Sequence, residues 1–201
     1  MSILTFPSIF TAPSAVEFPL TPNSQTFSSP LNHSEQTGEL PGAKWSCSIE
    51  WQGLKLSDAR LMKAFLASLR GSSGRFYIWD VSHETPSGTA GGTPLVKGTG
   101  QTGMSVITDG WNANQSALLK IGDYIGIGGE LKIITVDASS NGSGEATLVF
   151  EPPLRSSPAD NSAIVITKPP CIMRLVDDQQ DKIKINPPTL PNFTLNAVEI
   201  F

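Results

Sequence analysis

From Trp45 the chain alternates. Trp45, Cys47, Ile49 and Trp51 are apolar, and Ser46, Ser48, Glu50 and Gln52 between them are polar, the period of a strand with one buried face. The period then changes. Leu61, Met62, Phe65, Leu66 and Leu69 recur at helical spacing, which predicts a helix over about 57–70 with Ser57 or Asp58 as its cap, Arg70 at its end and Gly71 as its stop. Arg75–Val81 reads as an aromatic strand, so this block is strand–helix–strand. After a Gly/Thr-rich loop over 82–103, short apolar runs predict strands at Met104–Thr108, Tyr124–Ile127, Leu131–Val136, Ala146–Glu151 and Ala163–Thr167. Asp109-Gly110, Gly122-Asp123, Gly128-Gly129, Asn141-Gly142 and Pro152-Pro153 separate them as turns. Further strands are expected at Ile172–Val176, Lys182–Ile185 and Phe193–Ile200, with a proline-rich break over 187–191.

The pattern therefore predicts a mainly β protein, a β-sandwich or barrel with one helix and an inserted small β-barrel module. Residues 86–168 are expected to form the insert, and 44–85 plus 169–201 the domain around the helix. Residues 1–43 read as an extended N-terminal arm, punctuated by Pro7, Pro13, Pro19, Pro22, Pro30 and Pro41. Its apolar residues, Phe27 and Leu31 among them, are too many for a solvated linker. Phe6, Ile9, Phe10, Val16, Phe18 and Leu20 are the ones expected to lie along a neighbouring subunit or the arm's own domain. Disorder is the competing expectation for 23–42.

Composition narrows the chemistry. Eighteen glycines and sixteen prolines disfavour long helices, and a net charge of −4 lacks the basic footprint of a nucleic-acid binder. Two cysteines and two histidines are too few for a disulfide framework or a His/Cys metal centre. No apolar run reaches membrane-spanning length, and the first twenty residues lack the basic start of a secretion signal. Synthesis in a reducing cytosol with free, packed thiols is the expectation.

No motif carries catalysis. Gly98-Thr99-Gly100-Gln101-Thr102-Gly103 matches G-x-G-x-x-G, but it follows a loop and precedes a strand-like segment, whereas dinucleotide binding needs a strand before it and a helix after it. Asp137–Gly142 imitates the first half of a calcium loop, yet Leu148 stands where the bidentate acid belongs. Asp177-Asp178 and the looser pair Asp109 and Asp123 read as surface turns, and no G-x-S-x-G elbow accompanies His33 or His83. No cofactor, metal or enzymatic activity is expected. Of the four tryptophans, Trp111 alone follows a turn and is the candidate for exposure to a sugar or partner.

One long stretch is more specific. It runs Gly110-Trp111, then Leu118–Ile125 with its Gly122-Asp123, then Leu131–Asp137, then Gly144-Glu145-Ala146-Thr147-Leu148 through Pro153-Leu154-Arg155 to Pro158–Ile164. With the block from Trp51 through the helix to Phe76–Trp79, it resembles the distal tail, or baseplate hub, proteins of long-tailed bacteriophages. The resemblance covers roughly residues 45–175. It implies a tail-tube-like β domain and a homomeric ring, commonly six-fold, in the virion tail tip. Such a ring joins the tail tube protein to the tip hub and leaves a lumen for DNA, without sequence-specific nucleic-acid contacts or a membrane. It brings no catalytic residues. A carbohydrate- or receptor-binding role for the inserted module is the alternative.

Overall fold

The computed structural model describes residues 2–8, 10, 12–178 and 191–201. Among these lie fifteen strands and one α-helix. The strands are β1 Leu4–Thr5, β2 Ala15–Glu17, β3 Leu20–Thr21, β4 Ser24–Ser28, β5 Glu35–Glu39, β6 Lys44–Trp51, β7 Phe76–Ile78, β8 Gly92–Val96, β9 Gly103–Trp111, β10 Tyr124–Ile127, β11 Glu130–Val136, β12 Ala146–Leu154, β13 Ile164–Val165, β14 Cys171–Leu175 and β15 Phe193–Glu199. The helix, α1, spans Leu56–Leu69. The protein is mainly β, with one seven-stranded sheet, a nearly closed six-stranded barrel and a separate two-stranded hairpin. The strand expected at 182–185 and the break at 187–190 lie outside the described residues, as does Ile9.

The first sheet runs β1-β7-β14-β15-β6-β2, with β3 also on β6. Strand β6 is its keystone. Its alternation places Trp45, Cys47, Ile49 and Trp51 on one buried face, where Cys47 pairs with Ala197, Ile49 with Leu195 and Trp51 with Phe193. Met62, Leu66 and Leu69 of α1 close over that face. Leu61, expected in the helix stripe, points to solvent, and Phe65 is half-buried. Neither Ser57 nor Asp58 caps the helix. It begins one residue early, Lys55 occupies the cap position without a side-chain bond, and the Ser57 hydroxyl donates to Asp58 instead. Arg70 itself takes the left-handed conformation that ends the helix, followed by Gly71.

The expected arm over 1–43 is not one unit. Strand β1 pairs in parallel with β7, and β2 and β3 pair antiparallel with β6, filling an edge that β15 leaves open. Phe6, Phe10 and Phe18 are buried in the chain's own core, with Val16 and Leu20 packed against it. Phe6 stacks on Trp51 at 5.7 Å between ring centroids and meets Phe65 edge-on at 5.5 Å. Of the two surfaces expected for these residues, the chain's own domain is the one on which they pack. The free edge of β6, in the same chain, supplies the surface that these strands need.

The barrel runs β13-β10-β11-β12-β9-β8. Its ends meet through a bridge between Leu95 and Ala163 and bonds between Val96 and the Asn161–Ser162 backbone at 2.9 Å. Val96, Val106, Leu118, Ile125, Ile127, Ile134, Leu148 and Phe150 fill it. Strand β8 falls inside the stretch expected to be a loop, because Gly92, Thr93 and Pro94 hide the pattern. All four residues of β10 are buried. Ile125 and Ile127 face the barrel interior, whereas Tyr124, with Leu131 of β11, belongs to the core of the first sheet.

Candidate assembly surface

Strands β4 and β5 form a hairpin with no third strand among the described residues, in register from Ser24 opposite Glu39 to Ser28 opposite Glu35. The segment over 23–42, for which disorder is the competing expectation, is thus laddered. Bonds from Leu40 N–H to the Asn23 carbonyl at 2.7 Å and from Asn23 Nδ2 to the Pro41 carbonyl at 2.8 Å pin its base. Every residue of both strands is exposed. Phe27 is 63% exposed and Leu31, in the turn, 94%. A lone hairpin is marginal in water, and this one buries nothing.

At the hairpin's base lies a groove of about 750 Å³. Leu40 and Pro41 form one side, Met104 of β9 and Pro152–Leu154 of β12 the other, and Phe201 closes the end. Leu40, Met104 and Phe201 are each more than 40% exposed, so the opening is a contiguous apolar patch.

A polar joint lies under the groove and fixes the barrel to the first sheet. Arg155 donates two parallel bonds to Glu199, at 2.7 and 2.6 Å, and a third to the Ala43 carbonyl at 3.0 Å; Glu199 also accepts the Trp45 N–H at 3.0 Å. The Trp45 indole Nε1 donates to the Leu131 carbonyl at 3.0 Å, and Tyr124 packs edge-on against Trp45 at 5.5 Å. Lys132, fully buried, donates to Glu130 at 2.7 Å and to the Pro153 carbonyl at 2.8 Å. Burial lowers the Lys132 pKa, and Glu130 only partly restores it. For Glu130, burial acts upward, but bonds from Lys132 and the Arg155 N–H together with both positive charges outweigh it and hold the carboxyl below its ordinary value. Phe201 lies beneath cations, with the Arg155 guanidinium 4.0 Å and Lys44 Nζ 5.0 Å from its ring.

Trp111, expected to be exposed, is 5% exposed and belongs to the barrel core. Its indole Nε1 donates to the Thr108 hydroxyl at 2.8 Å, and its backbone N–H to the Gly144 carbonyl at 3.1 Å. Glycine is required on both sides. A Cβ on Gly110 (φ +77°) would come within 2.3 Å of the Thr93 carbonyl, and one on Gly144 (φ +73°) within 2.3 Å of the Trp111 carbonyl. The turn that sequence reading places before Trp111 is a kink inside β9, and it turns the ring inward. No ring face is left for a sugar.

The remaining motifs resolve into turns. The glycine-rich hexapeptide links β8 to β9, where the Gln101 side chain bonds the backbones of Lys97 and Ile107. Asp137 accepts from Ile121 N–H, and Asn141 Oδ1 from the N–H groups of Ser143 and Glu145. Asp123 is buried and accepts from Ser87 and Lys120, while Asp178 accepts from Ser72. Asp80, Ser82 and His83 do converge, but Ser82 Oγ and Asp80 both face His83 Nδ1, at 2.9 and 3.1 Å. A nucleophilic triad needs its serine and its carboxylate on opposite ring nitrogens. Among the described residues no three His, Cys, Asp or Glu side chains are grouped to hold a metal ion, and no helix is long and apolar enough to cross a membrane. Cys47 and Cys171 are free and buried, and burial pushes both thiols up, Cys47 to about 12.

No protein-family model matches the chain, and no curated protein matches it. The surface that remains is the hairpin and the groove at its foot. Phe27 and Leu31 were visible in the sequence as apolar residues in a polar run; Met104, Leu154 and Phe201 carry no local signal and meet only through the fold.

Proposed function

We propose that this protein is a structural subunit of the tail tip of a long-tailed bacteriophage, made in the host cytoplasm and assembled into a homomeric ring, six-fold as such rings commonly are, between the tail tube protein and the tip hub. One observation carries the reading: a pinned hairpin presents Phe27 and Leu31 to solvent, uncovered by any of the described residues. A monomer gains nothing from holding such an element, whereas a subunit of a closed assembly gains an apolar anchor. The resemblance of residues 45–175 to distal tail proteins supplies the setting. The body suits a mechanical role, because the helix-covered sheet and the barrel are joined by a buried polar network and shared aromatic packing. The work is association and alignment, without catalysis, and DNA passes through the ring's lumen.

Mass photometry and negative-stain microscopy of the purified full chain at micromolar concentration test the reading. The expected result is annular particles of one discrete mass. A monomer throughout that range overturns it.

A further inference from the structure

We infer that the hairpin tip of one copy docks in the apolar groove of the next copy, Leu31 entering between Met104, Leu154 and Phe201. This deepens the ring reading and rests on it. The two surfaces match in chemistry. The tip, Ser28-Ser29-Pro30-Leu31-Asn32-His33-Ser34, contains no carboxylate, lysine or arginine, so it brings no such charge into the groove, where Glu39 and Arg155 are the charged side chains of an otherwise apolar lining. Glu35 follows at once, and Lys44 stands at the groove over Phe201. A docked tip brings that carboxylate toward that ammonium at the solvated rim, the arrangement that sets orientation.

Intramolecular docking is barred by geometry. The groove is built at the hairpin's own base, from Glu39 to Ala43. Five paired rungs separate that base from the turn, roughly 17 Å at about 3.4 Å per residue. The tip would have to unzip its ladder to reach its own groove, but it is free to enter another. Because tip and groove are different surfaces of one chain, the contact is head-to-tail. Head-to-tail contacts propagate, and they close into a ring when the rotation per subunit divides a full turn.

Two singly substituted full chains, Leu31→Cys and Met104→Cys, are mixed, oxidised gently and resolved without reductant, with Leu61→Cys on the exposed helix face replacing Leu31→Cys as control. Native Cys47 and Cys171 are buried and do not compete. Disulfide-linked dimers are expected in the Leu31/Met104 mixture and not in the control, and Leu31→Ser is expected to raise the half-assembly concentration at least about ten-fold while the far-ultraviolet spectrum stays unchanged. Rings that form without the Leu31–Met104 link, or that tolerate Leu31→Ser, overturn the docking and leave the ring reading standing. Unlinked monomers of the unsubstituted chain overturn both.

Discussion

Residues 2–21 and 22–42 are similar stretches with opposite fates. Both are extended, rich in proline and dotted with apolar side chains, yet the first is stitched into the seven-stranded sheet and the second stands in solvent as a hairpin. The difference lies in what each meets. Strand β6 has an edge that β15 does not occupy, and the edge takes β2 and β3; Phe6 and Phe10 find Trp51, and Phe18 finds Trp45. Once those places are filled, Phe27 has strand β5 as its neighbour, and Leu31 sits in the turn, both exposed among the described residues. A greasy extended segment thus announces that it needs a surface and leaves open whose surface that is.

Breaking the buried half should cost most. Phe6→Ala removes a ring that touches Phe10, Trp51, Phe65 and Phe76, and should destabilise the chain by about 3–5 kcal/mol, lowering Tm by about 10 °C in calorimetry. The corresponding change in the hairpin, Phe27→Ala, should move stability by less than about 0.5 kcal/mol, because the ring is exposed. Equal losses at the two sites would erase the comparison.

Next in size is the joint on which the groove rests. Arg155→Met leaves the buried Glu199 carboxylate without its cation and should cost about 3 kcal/mol in urea unfolding; adding Glu199→Gln should recover part of it. Full additivity of the two would show that the pair is not coupled.

A pH titration sharpens the same joint. Glu130 titrates below its ordinary 4.5 in the folded chain, so its contribution is complete above the unfolded value and is lost as pH falls through the lower folded one. Lys132 acts in the opposite sense. Its lowered pKa means that the unfolded chain holds the proton more tightly, so its cost persists at neutral pH and fades only as pH rises toward 10.5. Stability should therefore drop below about pH 4.5, and Glu130→Gln should flatten that drop. An unchanged acid limb would remove Glu130 from the account.

The smallest effect is on thiol reactivity. With Cys47 at about 12 and Cys171 also raised, neither should react with a thiol reagent at pH 8 in the folded chain, and both should after unfolding. Fast native labelling would show that the keystone strand opens.

Much of the architecture was legible because it is written in local periods. The alternation Trp45–Trp51 places β6 as found, and the apolar runs at 124–127, 131–136 and 193–200 match their strands within a residue. The misses share a cause. Strands β4 and β5 read SQTFS and EQTGE, with no alternation because neither has a buried face, and β8 begins with Gly-Thr-Pro. Trp111 looked exposed because Asp109-Gly110 resembles a hairpin turn, and Gly144, whose missing Cβ lets the ring turn inward, lies 33 positions away.

The sequence by itself indicated the β class, the helix over about 57–70 and the turns at 122–123, 128–129 and 141–142, since each depends on neighbours within a few positions, whereas Asp109-Gly110 and Pro152-Pro153, expected as turns, lie inside β9 and β12. Only the tertiary structure decided which apolar residues remain uncovered. Burial is a property of partners, and Leu40, Met104, Leu154 and Phe201 become one surface only after β5, β9, β12 and the end of β15 are brought together. The same reasoning assigns Phe6 to the core and Leu31 to solvent: the two side chains are equally averse to water, and the available sheet edge distinguishes them.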